Sequence, residues 1–272
     1  MMDLSEKDFN LIRGVIYEQT GIRMSDNKQI LVANRLLKRL RALGMDSYAD
    51  YCAMISEGKA SEGELGELIN CLTTNETYFF REYKHFDILN ETVFPAYANT
   101  PGKTLYVWSA GCSTGQEPYS IAIAALEYNS RNSSGVSVSV MATDVSSEVL
   151  ETAREGLYPE NKTRGVSEEQ LNKFFKKTDS GYLINKEAKS LVRFQKMNLL
   201  NERLPSKFNV IFCRNVMIYF DQESQERVVD NLHGHLNQDG LLFVGHSEAL
   251  LRFSSKFNAD RIAGTTVYRK PA

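Results

Sequence analysis

The sequence lacks most of the features that assign a protein quickly. Its four cysteines, Cys52, Cys71, Cys112 and Cys213, lie far apart, with no C-x-x-C pair and no Cys/His cluster. That excludes a zinc ribbon and a disulfide framework and predicts reduced thiols. The four histidines, His85, His233, His235 and His246, show no metal-ligand spacing, so no metal is expected. No apolar run approaches the ~20 residues of a membrane helix, and the beginning, MMDLSEKDF, lacks the basic and apolar regions of a signal peptide. A cytoplasmic protein without direct membrane insertion is expected. Neither charge sign is in excess: 32 Lys and Arg stand against 34 Asp and Glu, net −2. That balance argues against a dedicated nucleic-acid binder. There is no internal repeat and no low-complexity tract.

What is present is ordinary globular material: 272 residues, 42% hydrophobic and 24% charged, enough for one large domain or two modest ones. Up to about residue 98 the apolar spacing is helical, with Phe9, Ile12, Val15 and Ile16 in one segment and Ile30, Leu31, Leu36, Leu37 and Leu40 in the next. Ser5 with Asp8 resembles a capping box, and Gly21, Gly44 and Gly58 read as helix stops. A small domain of about four helices is expected over 1–98. After the turn-rich NTPGKT, short apolar runs (TLYVWSA, VSVSVMATD, SLVRFQ, FNVIFC, GLLFVGHS, TTVYRK) alternate with helical ones over 99–272. That alternation predicts a doubly wound α/β domain with a mostly parallel sheet. Residues 159–191 interrupt it with a long insertion in which DSG separates two runs able to pair as a hairpin.

Three stretches carry chemistry. The first strand runs into VWSAGCSTGQEPYS, where Gly111 and Gly115 bracket a tight turn into a helix, placing backbone amides beside a ligand. Ser113 stands where the dinucleotide fingerprint needs its second glycine, which disfavours a pyrophosphate. The second strand ends at Asp144, which can cap the next helix or accept hydrogen bonds from both hydroxyls of a ribose. Together the glycine turn and the strand-end Asp favour an adenosine cofactor without phosphates. In FNVIFCRNVMIYFDQ an apolar strand leads directly into Cys213, Arg214, Asn215 and then Tyr219. Cys213 reads as a wall residue, and Tyr219 either packs or offers its hydroxyl. Earlier, NETYFFRE (75–82) interleaves aromatic and polar residues, compatible with a helix end or with a ligand site.

These stretches, TTNETYFFRE, VWSAGCSTGQEPYSIA, ATDVSSEVLETAREGLY, MNLL and IFCRNVMIYFD, resemble the chemoreceptor glutamate O-methyltransferases, the CheR family, over almost the whole chain. The resemblance implies a helical amino-terminal domain, a Rossmann-like S-adenosylmethionine (AdoMet) methyltransferase domain and an inserted small antiparallel β-subdomain. It implies conversion of glutamates on cytoplasmic helices of methyl-accepting chemotaxis receptors into γ-glutamyl methyl esters, with S-adenosylhomocysteine as by-product. By position it places Asn75, Thr77 and Arg81 against the cofactor from the helical side, with Gly111 in the turn. It places Glu117 and Asp144 on the adenosine side, Asn198 and Leu199 by the adenine, and Arg214, Asn215 and Val216 at the end of the fourth strand. Arg81 and Tyr219 then lie beside the departing methyl.

The second helix, with Lys28, Arg35, Lys38, Arg39 and Arg41, reads either as a solvated face or as an electrostatic dock for acidic receptor helices. Some family members grip a receptor's carboxyl-terminal pentapeptide with a glycine-rich loop of the β-subdomain. The short DSG here predicts an enzyme independent of that tether, and a monomer is expected. GHSEAL (245–250) also resembles the family but suggests no chemical role. A nucleic-acid methyltransferase would share the cofactor site, yet neither an N-P-P-Y motif nor a Pro-Cys pair is present. A methyltransferase for another protein and a non-catalytic AdoMet-binding regulator are the remaining alternatives.

Overall fold

A computed structural model describes residues 3–98, 100, 102–253 and 255–272. The expected turn NTPGKT includes residues 99 and 101, which lie outside the described residues. Four helices come first: α1 (Glu6–Thr20), α2 (Gln29–Leu43), α3 (Tyr48–Ser56) and α4 (Glu62–Leu72). Ser5, Ser47 and Ser61 cap α1, α3 and α4, each accepting the backbone N–H of an acidic residue three positions on. Gly21 and Gly44 close α1 and α2 in the left-handed conformation.

The α/β part follows as α5 (Lys84–Ile88), a π-helical turn into α6 (Phe94–Ala98), then β1 (Thr104–Ala110), α7 (Gln116–Arg131), β2 (Ser137–Asp144) and α8 (Ser147–Glu155). The insertion holds β3 (Leu157–Tyr158), α9 (Glu168–Phe174), β4 (Phe175–Thr178), β5 (Gly181–Ile184) and α10 (Lys186–Ser190). The chain finishes with β6 (Val192–Lys196), β7 (Phe208–Cys213), α11 (Gln222–His235), β8 (Leu236–Val244), β9 (Asn258–Ile262) and β10 (Thr265–Arg269). The main sheet runs β6-β2-β1-β7-β8-β10-β9, parallel from β6 to β8 and antiparallel at β10 and β9. β3, β5 and β4 form the separate antiparallel sheet, with β4 and β5 joined across Asp179 and Ser180 as the hairpin reading expects. β9 was not foreseen, because NADRI alternates without a buried face.

This strand order puts the reversal of winding between β1 and β7, and a ligand crevice opens beyond the carboxyl ends of the strands at such a point. The sequence stretches GCSTG and CRNV leave those two adjacent strand ends.

Packing assigns the helices differently from helical content. Phe9, Ile12, Leu36, Leu40, Tyr51 and Leu68 make the core of α1 to α4. Phe86, Ile88, Leu89, Val93 and Phe94 instead pack with Leu105, Val107 and Ile121 against the sheet. The apolar core thus changes between Leu72 and Phe79, and the change of character near residue 98 marks only the first strand. The period of α2 is also narrower than expected: Val32, Leu36 and Leu40 are buried while Ile30 and Leu31 are exposed, at 76% and 39%. Among the described residues no helix is long and apolar enough to cross a membrane.

One buried carboxylate ties three of the four amino-terminal helices. Glu64 on α4, 7% exposed, receives the Arg39 guanidinium on both oxygens and the Tyr51 hydroxyl at 2.8 Å. Burial alone would raise its pKa, but the bonds from Arg39 and Tyr51 outweigh that together and hold it below 4.5. A lowered native pKa adds stability that is present above pH 4.5 and lost as pH falls through the native value. Glu64→Gln is expected to cost about 2–3 kcal/mol at pH 7, less than a fully buried pair because Arg39 reaches solvent. Urea unfolding checks this, and the variant's acid-side loss of stability below pH 4.5 should be shallower than that of the parent.

Candidate active site

At the end of β1, Gly111 and Cys112 donate their N–H groups to the Thr143 carbonyl of β2, at 2.8 and 2.9 Å, and the chain turns into α7. Gly111 has φ +78°, and a Cβ there would meet a Val216 methyl at 2.4 Å. Only glycine lets the β1 and β7 ends approach this closely. Ser113 follows at φ +49° and gives its N–H to Asp144 Oδ2 at 2.8 Å, while Asp144 Oδ1 accepts from the Ser146 N–H at 3.0 Å. The cap of α8 is Ser146, which frees Asp144 from that role. Burial raises the Asp144 pKa, opposed by hydrogen bonds from the Ser146, Ser113 and Val145 amides.

β7 delivers Arg214, whose guanidinium is 1% exposed. It donates to the Arg81 carbonyl and lies 3.2 Å from Glu117 Oε2 and 3.5 Å from Glu82 Oε2. Glu117 also accepts from the Ser109 hydroxyl at 2.7 Å; burial raises its pKa, with Arg214 and Ser109 pulling it back. Asn215 sits at φ +60° with its side-chain Oδ1 buried and unpartnered. Such backbone outliers collect at sites that over-determine them; of the six non-glycine residues at positive φ among the described residues, Ser113 and Asn215 line this crevice, and Phe80 and Glu82 flank Arg81, which also lines it.

The amino-terminal helices roof the crevice along two seams. On one, Asn70 of α4 exchanges hydrogen bonds with Ser146 and Ser147, at 2.9 and 3.2 Å. On the other, Ile22 bridges Phe220, the Arg23 N–H reaches the Tyr219 carbonyl at 2.8 Å, and the Tyr17 hydroxyl reaches Asp221 at 2.7 Å. Between the seams runs 75–82. Phe79 is fully buried, edge-on to Tyr158 and Phe175 at 5.0 and 5.5 Å, so its truncation removes about 3–5 kcal/mol of packing. Phe80 is only half-buried, and its N–H is held by Ser120 Oγ at 2.9 Å. Asn75, Thr77 and Arg81 are left on the crevice wall.

Gly111, Glu117, Asp144, Asn198, Leu199, Arg214, Asn215, Val216 and Tyr219 line the same crevice, so the residues expected at the cofactor do come together. Two refinements concern how they act. The Arg214 guanidinium is spent beneath the wall on Glu117, Glu82 and Arg81. The Asn198 amide is engaged by the Gln19 carbonyl and the Leu200 N–H, at 2.7 and 2.9 Å, and shapes the wall through backbone contacts.

The docking set, Lys28 just before α2 and Arg35, Lys38, Arg39 and Arg41 along it, divides. Lys28, Lys38 and Arg41 are exposed. Arg35 turns inward, capping the end of α4 through the Leu72 and Thr73 carbonyls at 2.9 and 3.0 Å, and it lines the crevice. Arg39 is neutralised by Glu64. Both precede buried leucines, Leu36 and Leu40, and the helix rotation that buries those leucines takes the arginines partly with them.

Burial pushes the Cys112 and Cys213 thiols well up, so both are inert; Cys112 lines the crevice, whereas Cys213, expected in the wall, is packed in the core behind it. Burial, with Arg214 and His246 adding to it, pushes His85 down to about 3, so it is neutral and no base. Among the described residues no group of three or more His, Cys, Asp or Glu is arranged to hold a metal.

Sequence comparison agrees with this geometry. Residues 75–265 match the family described as CheR methyltransferase, SAM binding domain, and residues 7–73 match its all-alpha domain. The chain belongs to the CheR methyltransferase family. It is 40% identical to a chemotaxis protein methyltransferase of Salmonella typhimurium over 97% of this chain and 90% of that one. Identity to the proteins of that name from Borreliella burgdorferi and Escherichia coli is 36% and 37%, over 92% and 97% of this chain and 90% and 91% of theirs. The family's cofactor is AdoMet, and the crevice fits it: Asp144 keeps lone pairs for a ribose, Gly111 leaves room for backbone approach, and the orphaned Asn215 Oδ1 suits an ammonium group. The split between residues 73 and 75 coincides with the change of core.

Glu248, in the GHSEAL stretch, was missed. Its carboxylate accepts the N–H groups of Asn215 (2.6 Å), Gly245 (2.8 Å) and Ile218 (3.2 Å), clamping the loop that carries Val216 and Tyr219. Nothing in the sequence spacing links positions 215 and 248; only β7 lying beside β8 does. Glu248→Gln turns an amide N–H toward those donors and is expected to weaken S-adenosylhomocysteine binding about tenfold. Titration calorimetry measures it.

Proposed function

We propose that the protein is a protein-glutamate O-methyltransferase that esterifies glutamates on cytoplasmic helices of methyl-accepting chemotaxis receptors, acting in sensory adaptation as a monomer. The observation that carries this reading is the charge around the crevice: Arg23, Lys28, Arg35 and Arg81 line it, and no histidine does among the described residues. Cations without a base suit an acceptor that arrives already ionised. The relatives' name, chemotaxis protein methyltransferase, supports the same reading. The exposed Ile30 and Leu31 beside Lys28 add an apolar patch to the basic rim, a combination suited to an amphipathic acceptor helix.

Bound AdoMet supplies an electrophilic methyl on a sulfonium. In the proposed reaction the acceptor carboxylate oxygen forms the new C–O bond as the C–S bond breaks, its electron pair stays on sulfur, and no proton moves. Arg81 is poised to orient the carboxylate: it is half-buried, its guanidinium stacks on Tyr78 at 5.6 Å, and it donates to the Glu76 carbonyl at 3.2 Å. The Tyr219 hydroxyl has its pKa raised by burial, against the pull of Arg81 and Arg35, and remains a neutral donor at pH 7. Two opposite charges are consumed in the step, so the roof that excludes water and the walls that align the reactants supply the acceleration.

Arg81→Lys, which replaces a planar fork by a point charge, is expected to lower turnover about 100-fold while S-adenosylhomocysteine still binds. Transfer of labelled methyl to a receptor cytoplasmic fragment, scored as base-labile label, measures it. Label on RNA in place of the fragment, or cofactor binding without any transfer, would remove the proposed function. Because a free glutamate has a pKa of about 4.3 and no histidine takes part, the rate of the chemical step should stay flat between about pH 6 and 8. A bell-shaped profile in single-turnover experiments would reveal a base in this range.

A further inference from the structure

Tyr78 carries two guanidiniums. Arg81 lies 5.6 Å from its ring and Arg164, from the insertion, lies 5.2 Å from it. The insertion is fixed there by close backbone approach: Gly165 has φ +92°, and a Cβ on it would meet the Phe79 carbonyl at 2.0 Å. Tyr158, at the start of the insertion, is buried against the Phe79 ring. Arg164 is therefore held beside the crevice mouth by elements that cannot drift independently of 75–82.

Its charge is unused inside the molecule. Arg13, Arg39 and Arg214 each have a carboxylate partner, whereas among the described residues neither Arg81 nor Arg164 has one at ion-pair distance. Stacking on Tyr78 restrains the exposed Arg164 side chain and leaves its edge donors free, which lowers the ordering cost of gripping a carboxylate. On the opposite, helical side of the crevice stand Arg23 and Lys28. We infer that Arg164 is a specificity-determining contact of the insertion, gripping an acidic residue that neighbours the methylated glutamate on the acceptor helix. The inference rests on the proposed function. The acceptor helix then spans the crevice between α2 and the insertion, with Arg81 at the reacting carboxylate and Arg164 beyond it.

The test measures methyl transfer to an intact receptor cytoplasmic fragment by the full chain, with Arg164→Glu and Arg164→Lys compared at low and high salt. Arg164→Glu is expected to lower kcat/KM for the fragment about fivefold to tenfold at ~50 mM salt, through KM. The deficit should shrink to less than about twofold near 0.5 M salt, where charges are screened. Arg164→Lys should recover most of the loss, and both variants should bind S-adenosylhomocysteine as the parent does. Parental kcat/KM in Arg164→Glu at low salt overturns the inference. So does a deficit that persists at high salt or comes with weaker by-product binding, because either marks a structural role. Failure of the parent protein itself to methylate the fragment would instead strike the proposed function.

Discussion

The buried guanidinium of Arg214 is the contact on which the site depends. It leaves β7, meets Glu117 at the start of α7 and Glu82 at the end of 75–82, and donates to the carbonyl of Arg81. Three segments remote in sequence thus share one cation. A buried ion cluster of this kind adds little net stability, because desolvation offsets most of the Coulombic gain. What it contributes is a single arrangement: losing any one partner leaves a charge stranded in a dry wall. Held this way, the Arg81 backbone cannot relax out of the left-handed neighbours, Phe80 and Glu82, that bracket it.

Around that contact the architecture separates two tasks. The sheet places Gly111, Asp144 and Asn215 at the ends of three neighbouring strands, where winding reverses and no crossover helix fills the space. The amino-terminal helices contribute no strand to the main sheet among the described residues. They lie over the crevice along the Asn70 and Ile22 seams and bring Arg23, Lys28 and Arg35 to its edge. The residues that fit the cofactor accordingly sit mainly at the strand ends. The charged rim proposed for the acceptor lies on the amino-terminal layer, on Arg81 and on the insertion.

Much of this was legible in the residues. Strand–helix alternation pointed to the doubly wound sheet, and glycines with a strand-end Asp pointed to a nucleoside without phosphates, because both signals are local and follow from backbone geometry. The split fate of α2 was less legible. Arg35 and Arg39 look no different from Lys38 and Arg41 in a basic helix, and only the burial of Leu36 and Leu40 decides which cations reach solvent. Likewise, residues 84–98 show a helical period that says nothing about which core they join.

By itself the sequence determined the order of elements apart from β9, the turn chemistry at the strand ends and the family of the chain, since propensity, capping and motif spacing act between residues near one another along the backbone. Tertiary structure alone decided that Glu248 holds the loop after β7, that Arg214 serves Arg81 from beneath the wall, and that Arg164 shares a ring with Arg81. Those pairings join positions 33, 133 and 83 residues apart, and such neighbours exist only once the strands are ordered and the insertion is docked.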